Sequence, residues 1–286
     1  MRDRDFLLFV APSAGIMLAF MTLPLLALVA LSAFNMSLGS SIQFVGVGNY
    51  VATLASPRFW SAVGWTLTYC AIAIPLELVI GLALALALDQ VTRFRGLWLA
   101  AILTPFIVTP VVGTLIFGWL FKDYWGIYAQ VLDRVGVYVP WFASDWGARW
   151  LLILFRIWNT TPFVILVLFA GLQAMPREPI EAAIVDGANA WQRLRHVVLP
   201  QLRPLIVFVT AITLMDHYRE FDSVMVMTTG GPGTATETVM YLNYVVSFSE
   251  QALGRGAAIS VLTVAGVLLL LAPLIVLMYR EQREVQ

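Results

Sequence analysis

Arg156, followed by Asn159, Thr160 and Thr161, and the run Asp216-His217-Tyr218-Arg219-Glu220-Phe221-Asp222 are where hydrogen-bonding and ionisable side chains concentrate inside otherwise apolar sequence. An ionisable group in such surroundings is costly, and within a membrane it faces a partner, the interior of a helix bundle or a water-filled cavity. Two chemistries suit the set. The groups can hydrogen-bond a polar solute, with Tyr218 and Trp158 stacking on a ring, or Arg156 and the acids can neutralise each other where two helices meet. On helical spacing Asp216 shares a face with Arg219 and Glu220, whereas Tyr218 and Asp222 form another. A rival use is proton or cation binding by Asp216, Glu220 and Asp222, which would make the chain an ion-gradient-driven carrier or channel.

Catalytic chemistry is poorly provided for. Two histidines, His196 and His217, and one cysteine, Cys70, support neither a metal set nor a disulfide. Cys70 reads as a packing residue in an apolar helix, and His196 as a surface residue. The single lysine, Lys122, stands between Phe121 and Asp123, so the phosphate-cradling pattern G-x-x-x-x-G-K-[ST] is absent. No catalytic, cofactor or metal residue is assigned, nothing points to nucleic acid, and any ATP-driven step would need a separate ATPase polypeptide.

The elements that must position the polar set are membrane helices. With 60% hydrophobic and 12% charged residues and a mean hydropathy of +0.84, 286 residues cannot hide their apolar surface in one soluble core. Lipid is the solvent that fits. Six runs reach the roughly 20 residues that cross a hydrocarbon core as helix: 6–34, 62–88, 97–121, 150–174, 205–227 and 257–279. Pro75, Pro105, Pro110, Pro162 and Pro273 fall inside them, which membrane helices tolerate. The first run is too long for a signal-peptide core and lacks a small-residue cleavage site, so it reads as retained.

Basic residues set the orientation. With both termini cytoplasmic, the inside segments carry Arg2, Arg4, Arg93, Arg95, Arg177, Arg193, Arg195, Arg203, Arg280 and Arg283, and the longer outside segments only Arg58, Lys122, Arg134, Arg149 and Arg255. That asymmetry favours both ends inside.

The loop 177–204 then faces the cytoplasm. Its stretch Glu181-Ala182-Ala183-Ile184-Val185-Asp186-Gly187-Ala188, with Leu199-Pro200 downstream, reads as a helix-turn-helix. Pro179 suits a first helical turn and Glu181 complements its positive end. Gly187 lets the chain turn, and Asn189 with Gln192 forms a capping pair for a second short helix running to Val198.

These residues resemble the cytoplasmic signature loop of permease subunits of binding-protein-dependent ABC importers, although Leu194 stands where that family more often has Phe. Phe44-Val45-Gly46-Val47-Gly48-Asn49-Tyr50 and Phe221-Asp222…Thr228-Thr229-Gly230-Gly231-Pro232 resemble the branch that imports sugars, polyols and glycerol phosphates. The resemblance covers nearly the whole chain and is closer to the first permease of such pairs than to the second. It implies a single all-α, polytopic transmembrane domain over 1–286 in a bacterial inner membrane. It also implies a second homologous permease, two ATPase subunits that carry ATP and Mg and dock on Glu181, Ala182, Ala183, Asp186, Gly187, Leu199 and Pro200, and an extracytoplasmic solute-binding protein. Along the solute path it implies a role for some of Arg156, Trp158, Asn159, Asp216, Tyr218, Arg219, Glu220 and Asp222, without saying which touch solute.

The outer segments 38–61, 122–147 and 228–256 are long for turns. Trp60, Trp125, Trp141 and Trp146 read as interface anchors, and Gly230-Gly231-Pro232-Gly233 as a tight loop. The resemblance makes these segments the docking face for the binding protein.

Overall fold

A computed structural model describes residues 3–37, 39, 41–123 and 125–284. Arg2, which enters the orientation argument, and Leu38, at the start of the first outer segment, lie outside them. In chain order the elements are α1 Asp3–Ser32, the strands β1 Phe34–Asn35 and β2 Gln43–Phe44, α2 Gly48–Leu54, α3 Pro57–Gln90, α4 Arg95–Ile107, α5 Pro110–Leu120 and α6 Ile127–Arg134. There follow α7 Asp145–Ala174, α8 Glu178–Val185, α9 Ala190–Arg193, α10 Leu199–Tyr218, α11 Val239–Tyr244 and α12 Leu253–Glu284. Wider π-helical turns occupy Leu194–Val198, Val224–Thr228 and Val245–Ser249. Among the described residues the only sheet is the ribbon β1–β2, so the protein is all-α.

Among the described residues, five helices are long and apolar enough to cross a membrane: Val10–Ser32, Pro57–Gln90, Asp145–Ala174, Ala190–Tyr218 and Leu253–Tyr279. The third run of the sequence differs, because 97–121 is not one straight helix. It splits into α4 and α5, bent by 95° at Val108-Thr109. Thr109 precedes Pro110, whose ring pushes the preceding residue out of the helical region, and both Val108 (ψ 130°) and Thr109 (ψ 136°) are extended. Pro110 then occupies the first turn of α5, where its missing N–H is harmless.

The fifth run also differs. No loop separates the short helix expected to end at Val198 from the span beyond it: the chain stays helical from Ala190 to Tyr218. The widened turn Leu194–Val198 comes just before Pro200, whose ring would crowd the carbonyl of His196 in a regular helix. At the other end α10 stops at Tyr218, Arg219 to Phe221 are non-helical, and a π turn follows from Val224. Tyr218 and Asp222 therefore do not share a helix face.

The chain divides into two compact units. The first comprises Met1–Ser61 and Val239–Gly266. Here the Asn49 amide donates to the carbonyls of Ser32 (2.8 Å) and Phe34 (2.9 Å), and the hydroxyls of Tyr50 and Ser32 are 2.6 Å apart. The Ser32 carbonyl lies in the last turn of α1 and has no partner within its own helix, which accounts for Asn49 at its position. Arg58 pairs with Glu250 at 3.0 Å in the same unit. Gly254 lets α12 approach this corner: a Cβ there would overlap the carbonyl oxygen of Phe34 and come within 3.1 Å of Asn49 Nδ2.

The second unit comprises Ala62–Thr238 and Val267–Gln286. Its core joins Ala85 and Leu88 of α3, Val164, Ile165 and Leu168 of α7, and Val209 of α10. The start of α7 is fixed by Ser144, whose Oγ accepts from Gly147 N at 3.0 Å, with Asp145 in the first turn. Arg149 Nε donates to Ala235 O at 2.9 Å while its guanidinium lies over the rings of Trp65 and Trp146. Trp141 is not an exposed anchor; it is buried, edge-on to Phe121 at 5.0 Å. Trp60, Trp125 and Trp146 are exposed.

Candidate functional site

In the second unit α7 and α10 bring the two polar segments together. Arg156 Nη1 is 3.3 Å from Glu220 Oε2 and its Nη2 is 3.8 Å from Asp216 Oδ2; Arg219 Nη2 lies 3.4 Å from Asp216 Oδ1. Glu220 is 5% exposed. Its other oxygen, Oε1, accepts from Ser223 N at 3.1 Å and Ser223 Oγ at 2.7 Å, capping the helical segment that restarts beyond the break. Thr238 Oγ1 donates to the Glu220 carbonyl at 2.7 Å. The break after Tyr218 is thus what turns Glu220 towards Arg156, a bend that helical spacing alone does not convey.

Arg156 and Asp216 line a cleft of about 370 Å³ with Asn159, Thr160, Thr213, Phe106 and Phe163. Asn159 Nδ2 donates to Pro105 O at 3.0 Å, tying α7 to α4. Phe106 and Phe163 lie nearly parallel, centroids 5.9 Å apart at 22°. The remaining predicted path residues are elsewhere. Trp158 packs against Phe117 and Phe155, Tyr218 is buried, and Asp222 is exposed. Asp216 and Glu220 thus share Arg156 as a partner, one exposed and one buried, and Asp222 is exposed.

A buried pair was missed in the sequence. His217 Nε2 and Glu77 Oε1 are 2.8 Å apart, with both side chains fully enclosed, and they tie α10 to α3. Tyr69 is beside them, its ring 5.6 Å from that of His217. A signal was present: Glu77 is the only charged residue of the 62–88 run.

The loop between α7 and α10 is built from local instructions. Pro179 sits in the first turn of α8, and Glu178 and Glu181 are acidic in that turn. Gly187 has φ +80° with nothing near its Cβ position, the left-handed conformation glycine takes without steric cost. Asn189 and Gln192 form a reciprocal capping box, Gln192 N to Asn189 Oδ1 at 2.9 Å and Asn189 N to Gln192 Oε1 at 2.8 Å. Arg193 Nη1 donates to Ala188 O at 2.7 Å and holds the second helix against the turn. Glu181, Ala182, Asp186, Gly187 and Pro200 are exposed; Ala183 and Leu199 are half-buried. Val185 and Trp191 are exposed too, at 86% and 65%, so the hairpin presents apolar surface beside its charges. At its base Asp89, Gln173, Arg177 and Glu181 help line a second cleft of about 360 Å³. Gln173 bonds Asp89 there, and Arg95 lies 3.7 Å from the same carboxylate.

Two membrane-length helices, α7 and α10, that line a cleft holding Arg156 and Asp216 and are joined by an exposed hairpin suit the membrane subunit of a transport system. The chain belongs to the family described as binding-protein-dependent transport system inner membrane component, whose model matches residues 50–283. It is 32% identical to the trehalose/maltose transport system permease protein MalF of Thermococcus litoralis, over 90% of this chain and 87% of that one. It is 35% identical to the sulfoquinovosyl glycerol transport system permease protein SmoG of Agrobacterium fabrum, over 90% and 85%. A chain of the bacterial alginate ABC transporter, solved in complex with an alginate pentasaccharide-bound periplasmic protein, superposes with a TM-score of 0.81 at 19% identity, covering 99% of this chain and 96% of that one. That last likeness concerns the fold. As a transport permease subunit the protein is a transporter component rather than an enzyme.

Proposed function

We propose that this protein is one of two homologous permease subunits of an ATP-driven importer for a sugar, oligosaccharide, polyol or related solute. The sugar class is supported by relatives of more than 30% identity whose names carry trehalose/maltose and sulfoquinovosyl glycerol. The observation that carries the coupling role is the exposed hairpin at 178–193, turned at Gly187 and rooted in two membrane-length helices. A movement imposed on it by a partner is delivered to α7 and α10, which hold Arg156 and Asp216.

On this reading Glu181, Ala182, Ala183, Asp186 and Gly187 meet one of two ATPase subunits, and Leu199 and Pro200 lie where the helical run from Ala190 returns to regular α-helix after the widened turn. ATP and Mg belong to those subunits. Both termini and the hairpin face the cytoplasm, and an extracytoplasmic binding protein delivers solute to the outer segments. In the cleft Arg156, Asn159 and Asp216 flank the solute path, while Glu220 and Arg219 hold Arg156 and Asp216 in place. Trp158, Tyr218 and Asp222 have structural or peripheral positions.

The test is co-purification of the hairpin variants with the complex. Glu181→Lys should leave the partner permease bound and reduce recovery of the ATPase. Full ATPase recovery and full transport would overturn the docking role. Orientation is tested separately: a reporter active only in the cytoplasm should work within 178–203 and fail near Gly233.

A further inference from the structure

We infer that the cleft takes a neutral, polyhydroxylated solute and refuses an anionic one, and that Asp216 enforces the difference. This rests on the cleft being part of the solute path. A site for phosphate, sulfonate or carboxylate needs a guanidinium or ammonium edge left open towards the ligand. Arg156, the basic residue in the cleft wall, is not open in this way: Nη1 faces Glu220 at 3.3 Å and Nη2 faces Asp216 at 3.8 Å.

Glu220 cannot swing aside cheaply, because its remaining oxygen is held by Ser223 N and Oγ. Arg219, the other cation of the cluster, is engaged by Asp216 at 3.4 Å and donates Nε to Met215 O at 3.2 Å. With the carboxylates ionised, the formal charges of Arg156, Arg219, Asp216 and Glu220 cancel. Arg219 is 58% exposed but is not part of the cleft lining; of the two charged side chains that are, Asp216 is 52% exposed and Arg156 only 13%. An entering anion meets that carboxylate without an uncompensated cation, and like charges brought together without compensation repel strongly.

Hydroxyl groups meet the opposite situation. Asp216 accepts them, as does the Asn159 side-chain oxygen, since the Asn159 nitrogen already donates to Pro105 O. Phe106 and Phe163 give the C–H face of a sugar or polyol an apolar wall. The volume of about 370 Å³ lies at the small end of the roughly 300–1,000 Å³ range of small-molecule sites.

The test compares two probes that differ in charge, trehalose and trehalose 6-phosphate. Saturation-transfer NMR on the assembled permease–ATPase complex in nanodiscs, without binding protein, reads contact with the membrane site directly. The wild type should transfer magnetisation to trehalose at least tenfold more strongly than to the phosphate ester. Asp216→Asn should narrow that ratio by raising the phosphate signal, and Thr160→Val should weaken trehalose without raising the phosphate. Equal transfer to both probes in the wild type, or an unchanged ratio in Asp216→Asn, overturns the neutral-solute inference and leaves the path intact. Transfer to neither probe in the wild type overturns the path itself and the inference with it.

Discussion

Arg156 and Glu220 face each other at 3.3 Å across α7 and the break that ends α10, and Glu220 gives its second oxygen to Ser223. One carboxylate therefore joins a membrane helix to the restart of the chain beyond the break. Removing one partner of a buried ion pair leaves an uncompensated charge, a loss of about 3–5 kcal/mol. Arg156→Ala and Glu220→Ala should each lower the thermal midpoint of the detergent-solubilised subunit or its assembly. The double variant Arg156→Met/Glu220→Gln should recover part of the loss. Equal stability of both single variants and wild type would show that the pair holds nothing.

The Glu77–His217 pair predicts a similar pattern on different helices. Both side chains are fully buried, so a lone survivor is left without its partner at a cost of about 1–3 kcal/mol or more. Glu77→Leu and His217→Leu should each reduce folded yield, and the double leucine variant should be more stable than either. Additive losses, measured by fluorescence-detected gel filtration after heating, would mean that the two residues act independently.

Gly187 at φ +80° has open space where a Cβ would stand. Gly187→Val should therefore strain the turn, at about 1–2 kcal/mol, without disturbing packing. Gly187→Asn should be milder, since asparagine enters the left-handed region more readily. Insertion and pairing with the second permease should survive while ATPase recovery falls. Loss of insertion would mean that the turn at Gly187 serves the folding of the subunit rather than docking of the ATPase.

Gly254 makes the contrasting case, with open backbone choice and no space. Its Cβ would overlap the Phe34 carbonyl, a backbone atom that cannot rotate away. Gly254→Ala should loosen the first unit, seen as faster amide exchange over residues 33–50, and Asn49→Ala should produce a smaller change in the same segment. Unchanged exchange in both would contradict the corner described there.

What local sequence controls was legible. The Asn189–Gln192 box, Pro179 in a first turn and the turn at Gly187 each depend on residues a few positions apart, and the apolar runs follow from the solvent they need. The break at Val108-Thr109 was harder to see. Proline inside a membrane run often only kinks the helix, and whether the freed backbone is satisfied depends on neighbouring helices. The meeting of Arg156 with Glu220 was readable as an alternative, because both interrupt apolar sequence. The role of Glu220 as a cap for Ser223 was not, since it exists only once α10 ends. Glu77 and His217 lie 140 residues apart, and their pairing is set by tertiary packing. The lone acid in an apolar run hinted at a buried partner but not at which one.

The central claim is that transport through this subunit is driven by ATP on partner chains acting through the hairpin. Uptake of a labelled neutral disaccharide should be followed in proteoliposomes that hold the complete complex and its binding protein, with ATP inside or absent and ion gradients collapsed by ionophores. Uptake that requires ATP, survives the ionophores and falls several-fold with Glu181→Lys is the predicted result. Uptake that proceeds without ATP and stops when the gradients collapse would contradict it and make Asp216 part of an ion-driven carrier.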